Sequence, residues 1–348
     1  MKKLLTSIII IFVISMLILT GCGGTGQSSA PQSGNNQSQE SNQGSGSAVV
    51  LKLSHTGNPQ HFYQKGAEKF AELVNQKTNG QVKIEIYPSD SLAPQRESVE
   101  GAQLGTIDMV LTSTMELSNF EQSIGVFDLP FLFSSREKAY AVFDGPIGQK
   151  VSKTFENKGL VILAYWENGF RHITNNKKPI NTPEDLKGMK IRVPESSVFI
   201  DTFKALGASP TPISFGELYS ALQLGTVDGQ ENPLAHLINQ KFYEVQKYCT
   251  LTGHFYTAEP LVISKMVWDK LTPDQQKAIK DAAIEAGKFE RELSKEADDK
   301  YLQEAKDKGV QFVEKPDLAT FQKAVQPVYD KYQSKFGDLL KEVKAAAK

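Results

Sequence analysis

The chain opens on an apolar run, passes through a polar stretch with no periodicity, and settles from about residue 49 into regular alternation of apolar and polar positions. Val49 to Ser54 has the composition of a strand, and after the Gly57-Asn58-Pro59 break the stretch His61 to Thr78 carries Phe62, Phe70, Leu73 and Val74 at helical spacing. Asn79-Gly80 stops that helix. Val82, Ile84 and Ile86 then alternate with Gln81, Lys83 and Glu85, which predicts a strand with one buried face. Strand, helix and strand joined by short links form a βαβ unit, the signature of an α/β fold with a right-handed crossover.

Two further patterns bear on organisation. Gln103-Leu104-Gly105-Thr106-Ile107-Asp108 returns as Gln223-Leu224-Gly225-Thr226-Val227-Asp228, each copy following a helical stretch. In each, glycine sits where a helix ends on a left-handed residue, and threonine with a β-branched neighbour opens a strand. The echo fits two similar α/β lobes, and equally a capping solution used twice. Thr272-Pro273-Asp274-Gln275 is a capping box with proline at the first helical position, and no strong breaker follows before Gly309 apart from Gly287. About 36 residues at roughly 1.5 Å each give a helix of about 54 Å, longer than one small domain, so it is expected to run along both lobes, straight or kinked at Gly287. A short strand near Val310 to Val313 and further helix from Pro316 complete the chain.

The beginning of the chain has another purpose. Lys2 and Lys3 precede an uncharged run from Ile8 to Leu19, the pattern of an export signal, and the run is short of the roughly 20 apolar residues of a spanning helix. Leu19-Thr20-Gly21-Cys22 resembles the lipobox of bacterial lipoproteins, a resemblance that implies acylation at Cys22 and attachment to the membrane through lipid. Residues 23 to 48 are nearly all small or polar, with Glu40 the single charge, and read as a flexible tether. Residues 49 to 348 remain, enough for two domains.

Without Lys2, Lys3 and Glu40, the 39 basic and 40 acidic residues of the chain become 37 and 39, a balance that points away from nucleic acid. Of the two cysteines, Cys249 is left without a partner once Cys22 carries lipid, and its aromatic neighbours Phe242, Tyr243 and Tyr248 suit a small buried hydrophobe. No phosphate loop, nucleophile elbow or paired-cysteine site occurs, and the five histidines, His55, His61, His172, His236 and His254, lack ligand spacing. No cofactor or metal is expected, nor an enzyme. Two arginines at strand positions stand out instead: Arg171 in Asn168-Gly169-Phe170-Arg171-His172, and Arg192 in Lys190-Ile191-Arg192-Val193-Pro194. A guanidinium grips a carboxylate through two parallel hydrogen bonds where lysine acts as a point charge, although an arginine on a strand is commonly just a solvated residue.

Lys190 to Glu195, Leu206-Gly207-Ala208-Ser209-Pro210-Thr211-Pro212, Phe215-x-Glu217-Leu218-Tyr219 and Val227-Asp228-Gly229-Gln230-Glu231-Asn232-Pro233 resemble the DctP-type substrate-binding subunits of tripartite ATP-independent periplasmic (TRAP) transporters. Asp128 to Phe133 and Lys241 to Val245 fit as well, so the resemblance covers residues 49 to 348. It implies that Arg192 forms the salt bridge to the ligand carboxylate, that Asn232 and Arg171 face the ligand, and that Phe215 lines the pocket. From the residues alone Asn232 reads equally as a helix cap and Phe215 as core. The resemblance also places His55 and Thr56 in a ligand-contacting loop and Gln95 at a position often acidic in sialic-acid and sugar-acid binders. Gln95 and Ser113, where sialic-acid binders carry acids, argue against sialic acid. Glu231 and His254 resemble a structural or closure network.

The expected architecture is therefore an α/β, two-lobed solute-binding protein with a ligand cleft between lobes and a long C-terminal helix spanning both. One lobe is expected from residues 49–168 and 257–297 and the other from 169–256 and 298–348. The implied function is capture of an organic acid anion outside the cytoplasm, a C4-dicarboxylate first and a uronate or other sugar acid second, for delivery to TRAP membrane permease subunits by a monomeric protein. A secreted enzyme or a sensory module for organic acids is the alternative of another class.

Overall fold

The expected βαβ unit forms, and a second copy of its arrangement forms around it. The computed structural model describes residues 48–347; the expected signal segment, Cys22 and nearly all of the tether lie outside the described residues. β1 (Val49–His55) pairs in parallel with β2 (Val82–Tyr87) and β3 (Met109–Leu111). β4 (Leu160–Asn175) is a long strand. Beyond it, β5 (Lys190–Val193) pairs in parallel with β6 (Ser209–Pro212) and β7 (Gly229–Asn232), repeating the first trio. β8 (Tyr248–Ser264) returns antiparallel along β4 and carries β9 (Gln311–Val313). The sheet runs β2-β1-β3-β8-β4-β7-β5-β6, with one parallel trio on each side of the β4–β8 ribbon.

The sequence echo marks equivalent points of the two trios. Gly105 and Gly225 adopt φ of 73° and 68°. Asp108 Oδ2 accepts a hydrogen bond from the Lys52 amide at 2.8 Å, and Asp228 Oδ2 one from the Lys190 amide at 2.9 Å. Each aspartate, at the entrance to the trio strand that borders the ribbon, thus ties the amide of the central strand, so the echo is a strand-joining device used once per lobe. The ribbon changes register at Ile162/Ala164, Glu167/Gly169 and Arg171/Ile173, and Gly169 takes φ of 110° at the middle one. Such bulges bend and twist a strand pair, which lets one ribbon serve both lobes.

The long helix spans Pro273–Asp307 without a break, with Thr272 and Gln275 closing the predicted capping box in both directions. Gly287 is no kink. A Cβ there would lie 2.6 Å from Trp166 Cδ1, and one at Gly66 would lie 2.8 Å from Trp166 Cζ3. Two glycines on two helices therefore make room for one fully buried indole, whose Nε1 donates to the Ala283 carbonyl at 3.0 Å. Around it Phe70, Leu163, Ile279 and Ala286 form one hydrophobic core, and this helix also packs on Leu234–Asn239 across the ribbon. The C-terminal helix Gln326–Ala346 bridges as well, because Tyr329 donates to the Pro130 carbonyl and Tyr332 to Asp201. Cys249 is fully buried, and burial pushes its thiol up, which leaves it an inert packing residue.

Candidate ligand-binding cleft

Parallel strands expose their carboxyl ends at one edge, and open α/β sheets place ligands there. Here β1 leads to Thr56, β3 to Ser113, β5 to Pro194 and β7 ends on Asn232, and all four residues line one chamber of about 30 Å³. The chamber shares Gln95, Arg192, Pro194 and Phe215 with an outer mouth of about 480 Å³. The inner chamber has room for one or two waters, and it opens onto the larger mouth through the residues that they share.

Arg192 sits in β5 with Ile191 and Val193 packed into the core on the opposite face. Its Nε donates to the Ile213 carbonyl at 2.8 Å, which orients the guanidinium. Burial draws its pKa down to about 10, opposed by Glu231, Glu116 and Glu195, and it stays charged at neutral pH. No carboxylate pairs with it among the described residues. Arg171 is different: Glu231 holds it through Nε–Oε2 at 2.6 Å and Nη2–Oε1 at 2.9 Å, and Nη2 also donates to Asn232 Oδ1 at 2.9 Å. Only Nη1 is buried without a partner. Burial would raise Glu231, but the Arg171 charge and its hydrogen bonds outweigh it and hold the carboxylate below the usual range. His254 Nε2 stands 3.3 Å from Glu231, yet burial keeps this imidazole low in pKa and therefore neutral.

Six of the seven ligand-site residues read from the sequence meet here: Arg192, Arg171, Asn232, Phe215, Gln95 and Thr56 all line the chamber. Asn232 is not a helix cap, since Pro233 occupies that position and the Asn232 amide donates to Gln230 Oε1 at 2.5 Å. Phe215 is half-buried at the chamber wall, edge-on to the His236 ring at 5.0 Å. His55 does not join them. It is the last residue of β1 and its side chain turns onto the neighbouring helix, Nε2 lying 3.0 Å from Gln64 Oε1, with burial lowering its pKa to about 4. The adjacent backbone step sends Thr56 to the ligand side instead.

Sequence reasoning missed Tyr63, Asn168, His236 and Glu259, which also line the chamber. Tyr63 and His236 were hidden in amphipathic helices among core aromatics. Glu259 carried a readable signal: an acid inside the apolar run Ala258-Glu259-Pro260-Leu261-Val262-Ile263 must be buried, and a buried carboxyl asks for a reason. A separate groove of about 380 Å³ lies behind the sheet beside Tyr165, Ile284 and Lys280, but its arginine, Arg291, is spent on Asp144. In the cleft, by contrast, Tyr63, Arg171, His236 and Glu259 each carry a buried polar atom without a protein partner.

This fold and site define a two-lobed binder of small anions, and comparison with known proteins gives its family. Residues 53–335 match the family described as bacterial extracellular solute-binding protein, family 7, also called DctP. The chain is 36% identical over 303 residues to the C4-dicarboxylate-binding periplasmic protein DctP of Rhodobacter capsulatus, covering 86% of this chain and 91% of that one. It is 37% identical over 281 residues to the 2,3-diketo-L-gulonate-binding periplasmic protein YiaO of Escherichia coli, with 80% and 86% covered. Among solved structures, a TRAP periplasmic solute-binding protein from Polaromonas sp. JS666 bound to D-erythronate superimposes with a TM-score of 0.84 at 41% identity, covering 85% of this chain and 98% of that one. The chain belongs to the DctP family of TRAP solute-binding proteins, extracytoplasmic proteins that bind organic and sugar acids and work with a membrane permease.

Proposed function

We propose that this protein captures a hydroxylated monocarboxylate of the sugar-acid class between its lobes and hands it to a TRAP permease, with Arg192 as the carboxylate clamp. The observation that carries the reading is the contrast between the two arginines: Arg192 is buried, oriented by Ile213 and unmatched, whereas Arg171 is already neutralised by Glu231. A planar guanidinium held in this way offers a fork to a carboxylate. One unmatched cation suits one carboxylate. A C4-dicarboxylate, the first expectation from the sequence, brings a second negative charge for which the chamber offers no free cation among the described residues, and burying it unpaired costs heavily. Asn168, Gln95, Thr56 and Tyr63 instead present uncharged hydrogen-bonding groups suited to hydroxyls. Arg171 Nη1 adds an N–H donor at the chamber wall, its charge already matched by Glu231, and Phe215 gives the carbon skeleton an apolar surface.

The relatives' ligands bracket this class, one a C4-dicarboxylate and two others sugar-derived acids. Retention at the membrane through lipid on Cys22 is part of the same proposal and rests on the sequence pattern alone.

The test is a thermal-shift titration with D-erythronate, D-glucuronate, succinate, malate and the uncharged polyol erythritol. A ligand at 100 times its Kd stabilises the native state by about 2.7 kcal/mol. The sugar acids should raise the melting temperature most, the dicarboxylates less and erythritol not at all. Silence from every organic anion would remove the capture reading.

A further inference from the structure

Four residues that line the chamber carry a buried polar atom without a hydrogen-bond partner in the protein: Arg171 Nη1, Tyr63 Oη, His236 Nδ1 and Glu259 Oε2. Buried polar atoms are nearly always satisfied, so four orphans around one cavity call for a ligand that completes them. Tyr63 comes from the helix Phe62–Lys77, and Glu259 comes from β8, cross-strand from Trp166. Tyr63 and Glu259 are in side-chain contact reach of each other, and the charge of Arg171, five residues beyond Trp166 on β4, reaches both. The chamber therefore presents the unmatched cation Arg192 from β5 and, apart from it, the Tyr63–Glu259 pair, whose nearest cation, Arg171, is already matched by Glu231.

Resting on the capture reading above, we infer that Tyr63 and Glu259 together read a neutral hydroxyl or keto oxygen at the far end of the bound acid, with Glu259 acting as a protonated donor. A ligand carboxylate there would lie against a carboxyl group and a phenol, and the cation in reach, Arg171, is already matched by Glu231, so the same pair disfavours dicarboxylates. A hydroxyl, which both donates and accepts, completes both orphans at once.

The groups around Glu259 support a protonated carboxyl. Glu290 on the long helix is itself held protonated by burial, His236 and His55 are held neutral by burial, and Asp90 from the loop after β2 is raised to about 7 by burial and Glu97. Arg171 is the cation that acts on Glu259, and its charge is matched by Glu231. Burial accordingly lifts Glu259 to about 8, against the opposing pull of Tyr63 and Arg171. Below that pH the carboxyl donates. Above it the donor is lost and a negative charge faces the bound anion.

Calorimetric titration with three C4 acids tests this: D-erythronate, butyrate with no hydroxyl, and succinate with a second carboxylate. Wild-type protein should bind erythronate at least about tenfold more tightly than the other two, the discrimination expected when a site built for a hydroxyl meets a ligand lacking it. Tyr63→Phe should lower erythronate affinity about five- to tenfold and leave butyrate unchanged, a split that general loss of structure would not produce. Erythronate affinity should fall in wild type as pH rises through about 8, while Glu259→Gln, which keeps a neutral donor, should lose that alkaline fall. Equal binding of erythronate and butyrate, an equal loss of both in Tyr63→Phe, or the same alkaline fall in Glu259→Gln would overturn the inference and leave the Arg192 clamp standing. Failure of all three acids to bind would remove the capture reading and this inference with it.

Discussion

Arg171 and Arg192 reach the same chamber from different strands, and their partners decide what each can do. Arg171 and Glu231 are 1% and 0% exposed, so neither charge can be relieved by water if the other is removed. Glu231→Gln should therefore cost about 3–5 kcal/mol in urea denaturation, the usual penalty for leaving one buried charge unpaired. It should also free Arg171 and loosen Asn232, changing ligand preference as well as stability. Glu259 gives a pH signature of its own. Because its folded pKa of about 8 lies above the ordinary 4.5, the folded protein holds a proton that the unfolded chain releases between those values, and stability falls as pH rises through that window. The slope is at most about 1.4 kcal/mol per pH unit, and melts of Glu259→Gln from pH 5 to 8 should be flatter than wild type.

The two arginines stood out by chemistry unsuited to their surroundings, while Asn232, Phe215, Gln95 and Thr56 were implied by the family resemblance. Arg192 stands out between Ile191 and Val193, and Arg171 as a charge inside a strand, between Phe170 and His172. That Arg171 is already paired was not legible, because Glu231 lies 60 positions away and meets it only through the β4–β7 pairing. His55 failed for a local reason: successive side chains of a strand point to opposite faces, and the resemblance could not say which of His55 and Thr56 faced the ligand.

At the scale of elements, hydrophobic periodicity and caps predicted the first βαβ unit and the long helix closely, since both depend on local pattern. The expected strand near Val310 to Val313 is Gln311–Val313, and the helix expected from Pro316 begins at Leu318. The possible kink at Gly287 was misplaced because the reason for that glycine lies 121 positions away, in the face of Trp166. This gives a direct test. In an exposed helix Gly→Ala gains up to about 1 kcal/mol, but here the added methyl meets the indole at 2.6 Å. Overpacking of this kind costs about 1–3 kcal/mol, so Gly287→Ala should lower the melting temperature. A rise would mean that the indole has room to move.

Across the whole molecule, a few contacts join the two parallel trios over the cleft. Asn119 Nδ2 donates to the Glu195 carbonyl at 3.0 Å, Arg96 lies 3.5 Å from the Glu195 carboxylate, and Asn58 Nδ2 donates to the Asn239 carbonyl at 2.6 Å. The Arg96–Glu195 pair is about half exposed and worth at most about 1 kcal/mol. Closure driven by ligand requires that the ligand favour the closed form. Small-angle scattering should therefore record a smaller radius of gyration on adding a sugar acid, and Asn58→Ala with Asn119→Ala should weaken binding several-fold without touching the ligand. Unchanged affinity in that double variant would place the closing free energy in the ligand contacts alone.

The account turns on Arg192, and the direct measurement is calorimetric titration of D-erythronate and D-glucuronate into wild type, Arg192→Lys and Arg192→Ala, with circular dichroism confirming that each is folded. A fork that grips a carboxylate through two hydrogen bonds predicts at least about a tenfold loss with lysine, which keeps the charge and loses the geometry, and no measurable binding with alanine. Near-wild-type affinity in Arg192→Lys would contradict the clamp.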